Sequence, residues 1–231
     1  MKNLKRELKI TEDGSHTLFV PELNEHYHST HGAIQEAMHV YLNAGFNFCK
    51  QDPIHILEIG FGTGLNCFLT LIEAEKQNRT VIYHSIELYP VKEEHIQNLN
   101  YTDQIEGSDK DLFFKLHQAA WNQDVEITKT FTLNKLQGDL RKFIFPAIYD
   151  LIYFDAFAPD IQPDLWTQDI FEKLNNHLKE DAVLTTYSTK GIIKQALRGA
   201  GFEVKRLPGP PGKRQMLRAR KTCINTKQTI E

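Results

Sequence analysis

The stretch ILEIGFGTGLN, residues 56–66, combines a short apolar strand, a turn rich in glycine and the first residues of a helix. Gly60, Gly62 and Gly64 alternate with other residues along this turn. Glycine lets a backbone approach a ligand closely, because it has no Cβ. A glycine turn by itself is a weak signal, since any tight connection between a strand and a helix can use one. The flanking sequence therefore decides how the turn is interpreted.

Apolar strands and helices alternate along the chain on both sides of the glycine turn. Strands are predicted at 54–59, 81–87, 125–133, 150–155 and 182–187, with a closing hairpin at 202–207 and 215–220. The almost continuous apolar run in the fourth strand is typical of burial on both faces. Alternation of this kind favours an α/β fold with helices on both faces of a parallel sheet. We predict a doubly wound, mostly parallel, seven-stranded Rossmann-like sheet with an antiparallel edge strand.

Residues 1–50 are predicted to be an N-terminal extension of the α/β domain at 51–231. In this extension, Asp13-Gly14 separates two alternating apolar pieces, which predicts a hairpin, and a helix is expected at about 32–43. The segment HYHSTH at 26–31 matches no strong zinc spacing and has no cysteine beside it. Two interpretations remain for it: part of a lid over the ligand with Tyr27 and His31 facing inward, or a structural set of histidines.

The ligand of the glycine turn is either a dinucleotide or S-adenosyl-L-methionine. A dinucleotide turn has the pattern G-x-G-x-x-G and places a pyrophosphate at the helix N-terminus. This chain has the shorter G-x-G-x-G, with Glu58 two positions before the first glycine. A carboxylate pointing into the pocket would repel a pyrophosphate and attract a cationic methionyl ammonium or sulfonium. The pattern therefore favours S-adenosyl-L-methionine.

Further cofactor contacts are predicted where the next strands end. Glu87 ends the second strand, where a carboxylate can accept hydrogen bonds from both ribose hydroxyls. Gly138 and Asp139 follow the third strand, and Asp139 suits either the adenine amino group or the N-cap of a helix. Asn66, in the first helical turn after the glycines, completes the predicted set.

Asp155 ends the fourth strand and is the predicted catalytic residue. Methyl transfer needs a nucleophile held in line with the methyl carbon and the sulfur, and an amine attacks only when it is neutral. A carboxylate can orient such an amine and accept its proton, so no metal is required. We expect Asp155 to lie opposite the glycine turn, two strands away; a structural N-cap or turn is the alternative. Phe157 and Pro159 could pack a planar base beside it.

Composition excludes several classes of protein. The net charge is −3, the N-terminus lacks the apolar core of a signal peptide, and no apolar run is long enough for a bilayer. Three scattered cysteines, Cys49, Cys67 and Cys223, argue against a disulfide framework, so we expect a cytoplasmic protein. Residues 205–221 carry seven Lys or Arg and no acid, which by itself suggests only a solvated edge.

Several longer motifs resemble one known family. They are YHSTHGAIQEAMHVYLNAGF, LEIGFGTGLN, FDAFAPDIQPDLWTQDIFEKL, TYSTKGIIKQALRGAGFEV and GKRQML. Together they are similar to the methyltransferase domain of the MnmC-type tRNA-modifying enzymes over about residues 27–220. The combination of DAFAP, PDLWT and GKRxML is far more specific than the glycine turn.

The resemblance implies the acceptor. It implies S-adenosyl-L-methionine-dependent methylation of the 5-aminomethyl group of a wobble (2-thio)uridine, with the tRNA anticodon region as partner. Asp155 would face the amine, and Lys213 and Arg214 would contact phosphates. Two-domain members of the family add an FAD-dependent oxidoreductase. Because this chain has no second glycine fingerprint, we expect the stand-alone form, without FAD, supplied with its aminomethyl substrate by an oxidoreductase or another enzyme.

Two rival functions remain at this stage. A methyltransferase acting on a small-molecule or protein amine would use the same cofactor pocket but transfer no labelled methyl group to tRNA. A nucleotide-binding protein without catalysis would be distinguished by titration with S-adenosyl-L-methionine and NAD.

Overall fold

The N-terminal extension contains the predicted hairpin in the computed structural model, which describes residues 4–222. Strands β1 (Glu7–Ile10), β2 (His16–Val20) and β3 (Glu25–His26) form a small antiparallel sheet. Asn24, between β2 and β3, adopts a left-handed conformation with a φ of 49° after a 3-10 turn at Pro21–Leu23. Cys223, which contributed to the prediction of a reducing compartment, lies outside the described residues.

The helix predicted at 32–43 is longer and wound differently. The α-helix α1 (Ala33–Ala37) continues directly as a π-helix over Met38–Phe46. Gly45 lies so close to the central sheet that a Cβ there would be 2.9 Å from a ring carbon of Tyr153. Long π-helical stretches are rare and are often found at functional sites. This segment brings Tyr41 to the end of a central strand, as described below.

The main sheet is built from the remaining strands. They are β4 (Ile54–Ile59), β5 (Val81–Glu87), β6 (Asp124–Glu126), β7 (Phe131–Gln137), β8 (Tyr149–Phe154), β9 (Leu178–Thr186), β10 (Phe202–Pro208) and β11 (Gln215–Lys221). Within residues 4–222 these eight strands lie in the order β10-β11-β9-β8-β4-β5-β7-β6. The five strands from β9 to β7 in this order are parallel, so the prediction of a mostly parallel α/β sheet is confirmed.

Three details of the predicted seven-stranded sheet are corrected, and the first of them makes the sheet eight-stranded. The strand expected at 125–133 is an antiparallel hairpin of β6 and β7, because the chain turns at Thr128–Thr130, where the Phe131 amide bonds back to the Thr128 carbonyl. The antiparallel strand near the other edge, β11, lies between β9 and β10 rather than at the edge itself. Asp155 follows β8, which is the immediate neighbour of β4, so it lies one strand from the glycine turn rather than two.

Helices cover both faces of the sheet. They are α2 (Leu65–Gln77), α3 (Glu93–Ile96), α4 (Tyr101–Gln104), α5 (Lys110–Gln118), α6 (Gln168–Asn175) and α7 (Gly191–Gly199). Asp109 caps α5 and Thr167 caps α6 by accepting backbone N–H bonds, which satisfies amides that have no partner within the helix. No helix among residues 4–222 combines the length and the apolar character that crossing a membrane requires.

Two hydrophobic cores hold these layers together, one on each face of the sheet. Alternate residues of β4 divide between them: Ile54 and Ile56 pack on the face of α2, and Leu57 and Ile59 on the face of α6 and α7. All six residues of β8 are buried, as its apolar run predicts. Full burial of one such side chain stabilises the fold by about 1.5–3 kcal/mol before entropy is counted.

Candidate active site

A cavity of about 500 Å3 opens where the strand order reverses, between the carboxyl ends of β4 and β8. The strand after β4 in the chain, β5, lies on one side of β4, and β8 lies on the other side. The loops that follow β4 and β8 therefore diverge and leave a crevice between them. Most of the predicted site residues line this cavity. They are Tyr27, Gly60, Gly62, Asn66, Glu87, Gly138, Asp139, Asp155, Phe157 and Lys213.

Two of the three glycines form one wall of the cavity. Gly60 has a φ of 95°, and a Cβ there would be 2.7 Å from the Asp155 backbone oxygen. Gly62 has a φ of 51°, and its Cβ would be 3.2 Å from the ring of Tyr27. Both positions therefore require glycine for conformation and for space. Gly64 does not line the cavity: it begins α2 with a φ of 73° and packs against His117.

Glu87 holds the glycine turn from the next strand. One carboxylate oxygen accepts the Gly62 amide at 3.2 Å, and the other accepts the Tyr89 amide at 2.8 Å. The side chain is partly exposed to the cavity, at the position predicted for a ribose-binding carboxylate. The same carboxylate thus fixes the glycine turn and faces the cavity.

Glu58 does not point its carboxylate into the pocket, contrary to the prediction. It is fully buried beneath the glycine turn, where Ser85 donates a hydrogen bond of 2.6 Å to its carboxyl group. Side chains alternate along a strand, and Glu58 points with Ile54 and Ile56 into the core rather than out of the sheet edge. Burial raises the pKa of Glu58 well above its usual range. Its influence on a ligand is therefore indirect.

Asp155 is held rigidly at the cavity wall. The Tyr41 hydroxyl donates to one carboxylate oxygen at 2.6 Å, and the Asn66 amide donates to the other at 2.8 Å. Burial raises the pKa of Asp155 to about 7, and these two hydrogen bonds oppose that shift. A carboxyl group with a pKa near neutrality can both accept and release a proton under physiological conditions.

The loop after Asp155 is braced from behind. The Trp166 indole donates to the Phe157 carbonyl at 2.9 Å, and the Tyr187 hydroxyl donates to the Ala156 carbonyl at 2.8 Å. Trp166 itself is buried against Phe154 in the core, with ring centroids 4.7 Å apart. Trp166 therefore supports the wall of the cavity from behind, whereas Pro163, Asp164 and Leu165 of the same PDLWT motif line the cavity.

A half-buried ion pair lies near Asp155. Lys213 is hydrogen-bonded to the carboxylate of Glu36, which also accepts the Ser29 amide at 2.8 Å. The Lys213 ammonium lies 4.3 Å from the centre of the Tyr187 ring. These contacts tie the tip of the β10–β11 hairpin to α1, so the C-terminal hairpin and the N-terminal extension share the cavity.

The N-terminal extension covers the cavity through Tyr27 but not through His31. Tyr27 lies edge-on to Phe157 with centroids 5.0 Å apart, and its hydroxyl accepts a 2.8 Å hydrogen bond from Arg6. His31 does not line the cavity; it is exposed and lies 3.0 Å from the Glu12 carboxylate. The prediction of an inward-facing His31 is wrong, because its imidazole lies at the surface against Glu12.

Asp139 lies in the wall but is already engaged. Arg141 donates several hydrogen bonds to its carboxylate, the shortest at 2.7 Å, and this pairing lowers the pKa of Asp139. The residues that directly follow Asp139 form a turn and not a helix, so the alternative of a helix N-cap is wrong. Gly138 lies beside it in the same wall.

Several lining or supporting residues were not anticipated from the sequence. Tyr41 and Glu36 come from a helix that the sequence pattern assigned only to packing, and Arg6 comes from a charged N-terminus. Their polar atoms lie on an apolar helix face or on a small sheet, where no spacing rule marks them. The signal available in the sequence for these roles was the presence of an acid, Glu36, and a tyrosine, Tyr41, among the alanines of residues 33–44.

The residues present fit a methionine-derived sulfonium cofactor. Two glycines leave room for a ligand against the backbone, and the carboxylates of Glu87 and Asp155 face the space beside them. Negative groups on a glycine cradle suit a cation and would disfavour a pyrophosphate. No group of three or more His, Cys, Asp or Glu side chains among the described residues is arranged to hold a metal ion.

The sheet order, with the glycine turn at the switch point, defines a Rossmann-like methyltransferase. A family model described as S-adenosyl-L-methionine-dependent methyltransferase matches residues 106–222, and the chain belongs to this family. S-adenosyl-L-methionine is therefore its cofactor.

Two solved structures share this fold. The crystal structure of MNMC2 from Aquifex aeolicus superimposes with a TM-score of 0.78 at 26% identity, covering 94% of this chain and 70% of that one. Spermidine synthase from Thermotoga maritima, at 14% identity and a TM-score of 0.54, shares the fold over 96% of this chain and 75% of its own.

Curated relatives extend the likeness to named proteins. The tRNA 5-methylaminomethyl-2-thiouridine biosynthesis bifunctional protein MnmC of Cupriavidus metallidurans is 30% identical over 228 residues, which is 91% of this chain and 33% of that protein. The protein of the same name from Azoarcus is 32% identical, covering 92% of this chain and 35% of its own length. The chain thus spans about a third of the length of the curated relatives it matches.

Proposed function

We propose that the protein transfers a methyl group from S-adenosyl-L-methionine to the amine of a 5-aminomethyl group on the wobble (2-thio)uridine of tRNA. The product is 5-methylaminomethyl-(2-thio)uridine. The observation that carries the proposal is the likeness to the MnmC proteins over about nine-tenths of the chain. Those relatives are named for the biosynthesis of this nucleoside, and the likeness includes the loop that presents Asp155 to the cavity.

The chemistry follows from the position of Asp155. When bound, the cofactor supplies an electrophilic methyl group on a sulfonium. Asp155 is the carboxylate that orients the acceptor amine and accepts its proton, because Tyr41 and Asn66 fix both of its oxygens. Its pKa of about 7 lets it take up a proton and return it to solvent near neutral pH. Phe157, which lines the same cavity, would stack on the uracil ring.

The cofactor contacts proposed here are those that line the cavity. Glu87 would accept hydrogen bonds from the ribose hydroxyls, and Gly138 and Asp139 would contact the adenine. Gly60, Gly62 and Asn66 would surround the methionyl part. Glu58 and Gly64 would act from beneath, by fixing the glycine turn.

We further propose that the N-terminal extension is part of a lid over the cofactor, because Tyr27 and Arg6 lie across the opening. Lys213 and Arg214, at the tip of the β10–β11 hairpin, would contact phosphates of the anticodon region. Pro159 does not line the main cavity and would contact the RNA from the neighbouring surface. A tRNA substrate implies a cytoplasmic reaction and an oxidoreductase or other enzyme that supplies the aminomethyl group.

Mass spectrometry of tRNA nucleosides tests the proposal directly. Cells that lack this protein should accumulate 5-aminomethyl-(2-thio)uridine and lose the methylaminomethyl nucleoside, and expression of the protein should reverse both changes. In vitro, the purified protein should transfer a labelled methyl group to tRNA from those cells but not to tRNA from complemented cells. An unchanged nucleoside profile, with transfer to a small-molecule or protein amine instead, would contradict the proposal.

A further inference from the structure

A second, shallower cavity of about 420 Å3 adjoins the first. The two share Ala158, Tyr187 and Lys213 in their walls, so they form one continuous surface. The second cavity lies between the β9–α7 loop and the tip of the β10–β11 hairpin. It is thus placed next to the position where the acceptor nucleoside must enter to reach Asp155.

The floor of the second cavity ends at the N-terminus of α7. This nine-residue helix has no side-chain cap and no acidic residue in its first turn. The amides of Gly191 and Ile192 make no hydrogen bond with any residue between 4 and 222. A Cβ at Gly191 would meet nothing within 4 Å, so a side chain can be added there without a clash. Unpaired amides and the helix dipole favour an anion at such a terminus.

A buried serine gives an independent indication of a ligand. Ser188 lines the second cavity, and only 6% of it is exposed. Its hydroxyl makes no hydrogen bond with any part of the chain that the structure describes. The residue as a whole is buried, but its hydroxyl oxygen remains open to the cavity and can donate a hydrogen bond to a ligand there. Thr189, next to it, also lines the cavity and has a hydroxyl without a partner in residues 4–222.

The opposite wall supplies a cation. Arg214 lines the cavity, is exposed, and its guanidinium forms no ion pair within the described chain. Lys190 also lies there, but its ammonium already pairs with Asp160 at 2.5 Å. We therefore do not assign Lys190 to a ligand. The unsatisfied groups are two amides, two hydroxyls and one guanidinium, and all of them donate hydrogen bonds to an anion.

We propose that the second cavity binds the backbone phosphate adjacent to the nucleoside being methylated, held by the α7 N-terminus, Ser188, Thr189 and Arg214. This inference rests on the proposed function, because only a nucleic-acid acceptor carries a phosphate next to the modified base. The site fixes the acceptor one phosphate away from Asp155. It thus distinguishes a nucleotide within RNA from a free nucleoside or a protein amine.

A charge placed at the helix terminus tests the site without damaging the fold. Gly191→Glu adds a carboxylate at the start of α7, and a negative charge there should leave the helix intact or stabilise it. The matched controls are Gly191→Gln, which adds similar bulk without charge, and Gln123→Glu. Gln123 is exposed beside β6, at the opposite edge of the sheet, so it adds the same charge far from the cavity.

The probe is a synthetic anticodon stem-loop RNA carrying 5-aminomethyl-2-thiouridine at the wobble position. A second RNA has a neutral methylphosphonate in place of each of the two phosphates that flank this nucleoside. Equilibrium binding, its salt dependence and single-turnover methylation are measured for each protein with each RNA. Cofactor affinity and melting temperature are measured in parallel as controls for folding.

Gly191→Glu should weaken binding of the natural RNA at least about tenfold, with a shallower salt dependence, while Gln123→Glu leaves both unchanged. The neutral RNA should bind the wild-type protein more weakly but bind Gly191→Glu as well as it binds Gly191→Gln. The phosphate site would be overturned if Gly191→Glu and Gln123→Glu weakened RNA binding equally, or if Gly191→Glu weakened binding of the natural and the neutral RNA equally. In either case, methylation of the RNA by the wild-type protein would still uphold the proposed function. Failure of the wild-type protein to methylate the RNA would overturn both.

Discussion

Replacing the predicted catalytic carboxylate should make the protein more stable as well as inactive. Asp155 is partly buried in the cavity wall, and its pKa of about 7 lies well above its ordinary value of 3.8. The folded state therefore holds a proton that the unfolded chain releases. As the pH rises from about 4 to 7, the unfolded chain loses this proton while the folded state keeps it, so the free energy of unfolding falls progressively. Asp155→Asn removes the ionisation and should remove the penalty.

The magnitude follows from the same two pKa values. A tenfold change in proton affinity corresponds to about 1.4 kcal/mol, so a carboxyl pKa raised from 3.8 to about 7 sets an upper limit of about 4 kcal/mol. The new amide also places a donor opposite the Asn66 amide donor, which costs about 1–2 kcal/mol. The net gain above pH 7 should be about 2 kcal/mol, or roughly 4–8 °C in melting temperature for a chain of this size.

The assay is thermal unfolding of wild type and Asp155→Asn, without cofactor, between pH 4 and pH 8. The difference between them should be largest at pH 8 and should shrink as the pH falls towards 4, close to the unfolded pKa of 3.8, where the unfolded wild-type chain also begins to bind this proton. Single-turnover methylation should be lost in the variant, while cofactor affinity stays within a few-fold of wild type.

Asp150→Asn is the matched control on the same strand. Asp150 is buried, but it pairs with Lys179 at 2.9 Å and accepts the His55 amide at 2.9 Å. Its replacement should destabilise the protein, because asparagine keeps one acceptor oxygen but loses the charge that pairs with Lys179. If Asp155→Asn were destabilising at pH 8 like this control, or if its effect did not depend on pH, the assignment of a partly buried, proton-binding carboxyl group would be refuted.

Three further predictions concern neighbouring parts of the site. Tyr41→Phe removes the 2.6 Å hydrogen bond to Asp155 and should raise its pKa, moving the rising limb of the pH–rate profile to higher pH with cofactor affinity unchanged. Glu87→Gln should weaken cofactor binding about tenfold in calorimetry, since it removes a charge that also holds the Gly62 amide. Arg214→Ala should weaken tRNA binding and reduce its salt dependence while leaving cofactor affinity intact; equal tRNA affinity at moderate salt would contradict this.

The sequence predicted the part of the site that depends on local order. Strand ends and glycine turns are local features, and parallel strands bring their carboxyl ends to one edge. Gly60, Gly62, Glu87 and Asp155 could therefore be assigned to a shared site from the pattern of strands and turns alone. Glu58 could not be placed correctly by the same argument, because its direction depends on the pleat of β4 and on Ser85 across the sheet.

Contacts between distant segments lay beyond sequence reasoning. Tyr41 reaches Asp155 only because a π-helical turn packs on β8, and Lys213 reaches Glu36 across 177 positions of the chain. Neither pair has a spacing that a local rule can recognise. His31 illustrates the converse, since its position in a promising motif did not turn it towards the cavity.

The sequence by itself determined the α/β class, the switch-point turn and the carboxylates at the strand ends, since each follows from periodicity and from residues near one another in the chain. Only the tertiary structure decided the state of those groups. The pKa of Asp155 depends on how completely the surrounding elements exclude water, and the second cavity exists only where the β9–α7 loop meets a hairpin from the end of the chain. Burial and juxtaposition are properties of packing, which no single segment encodes.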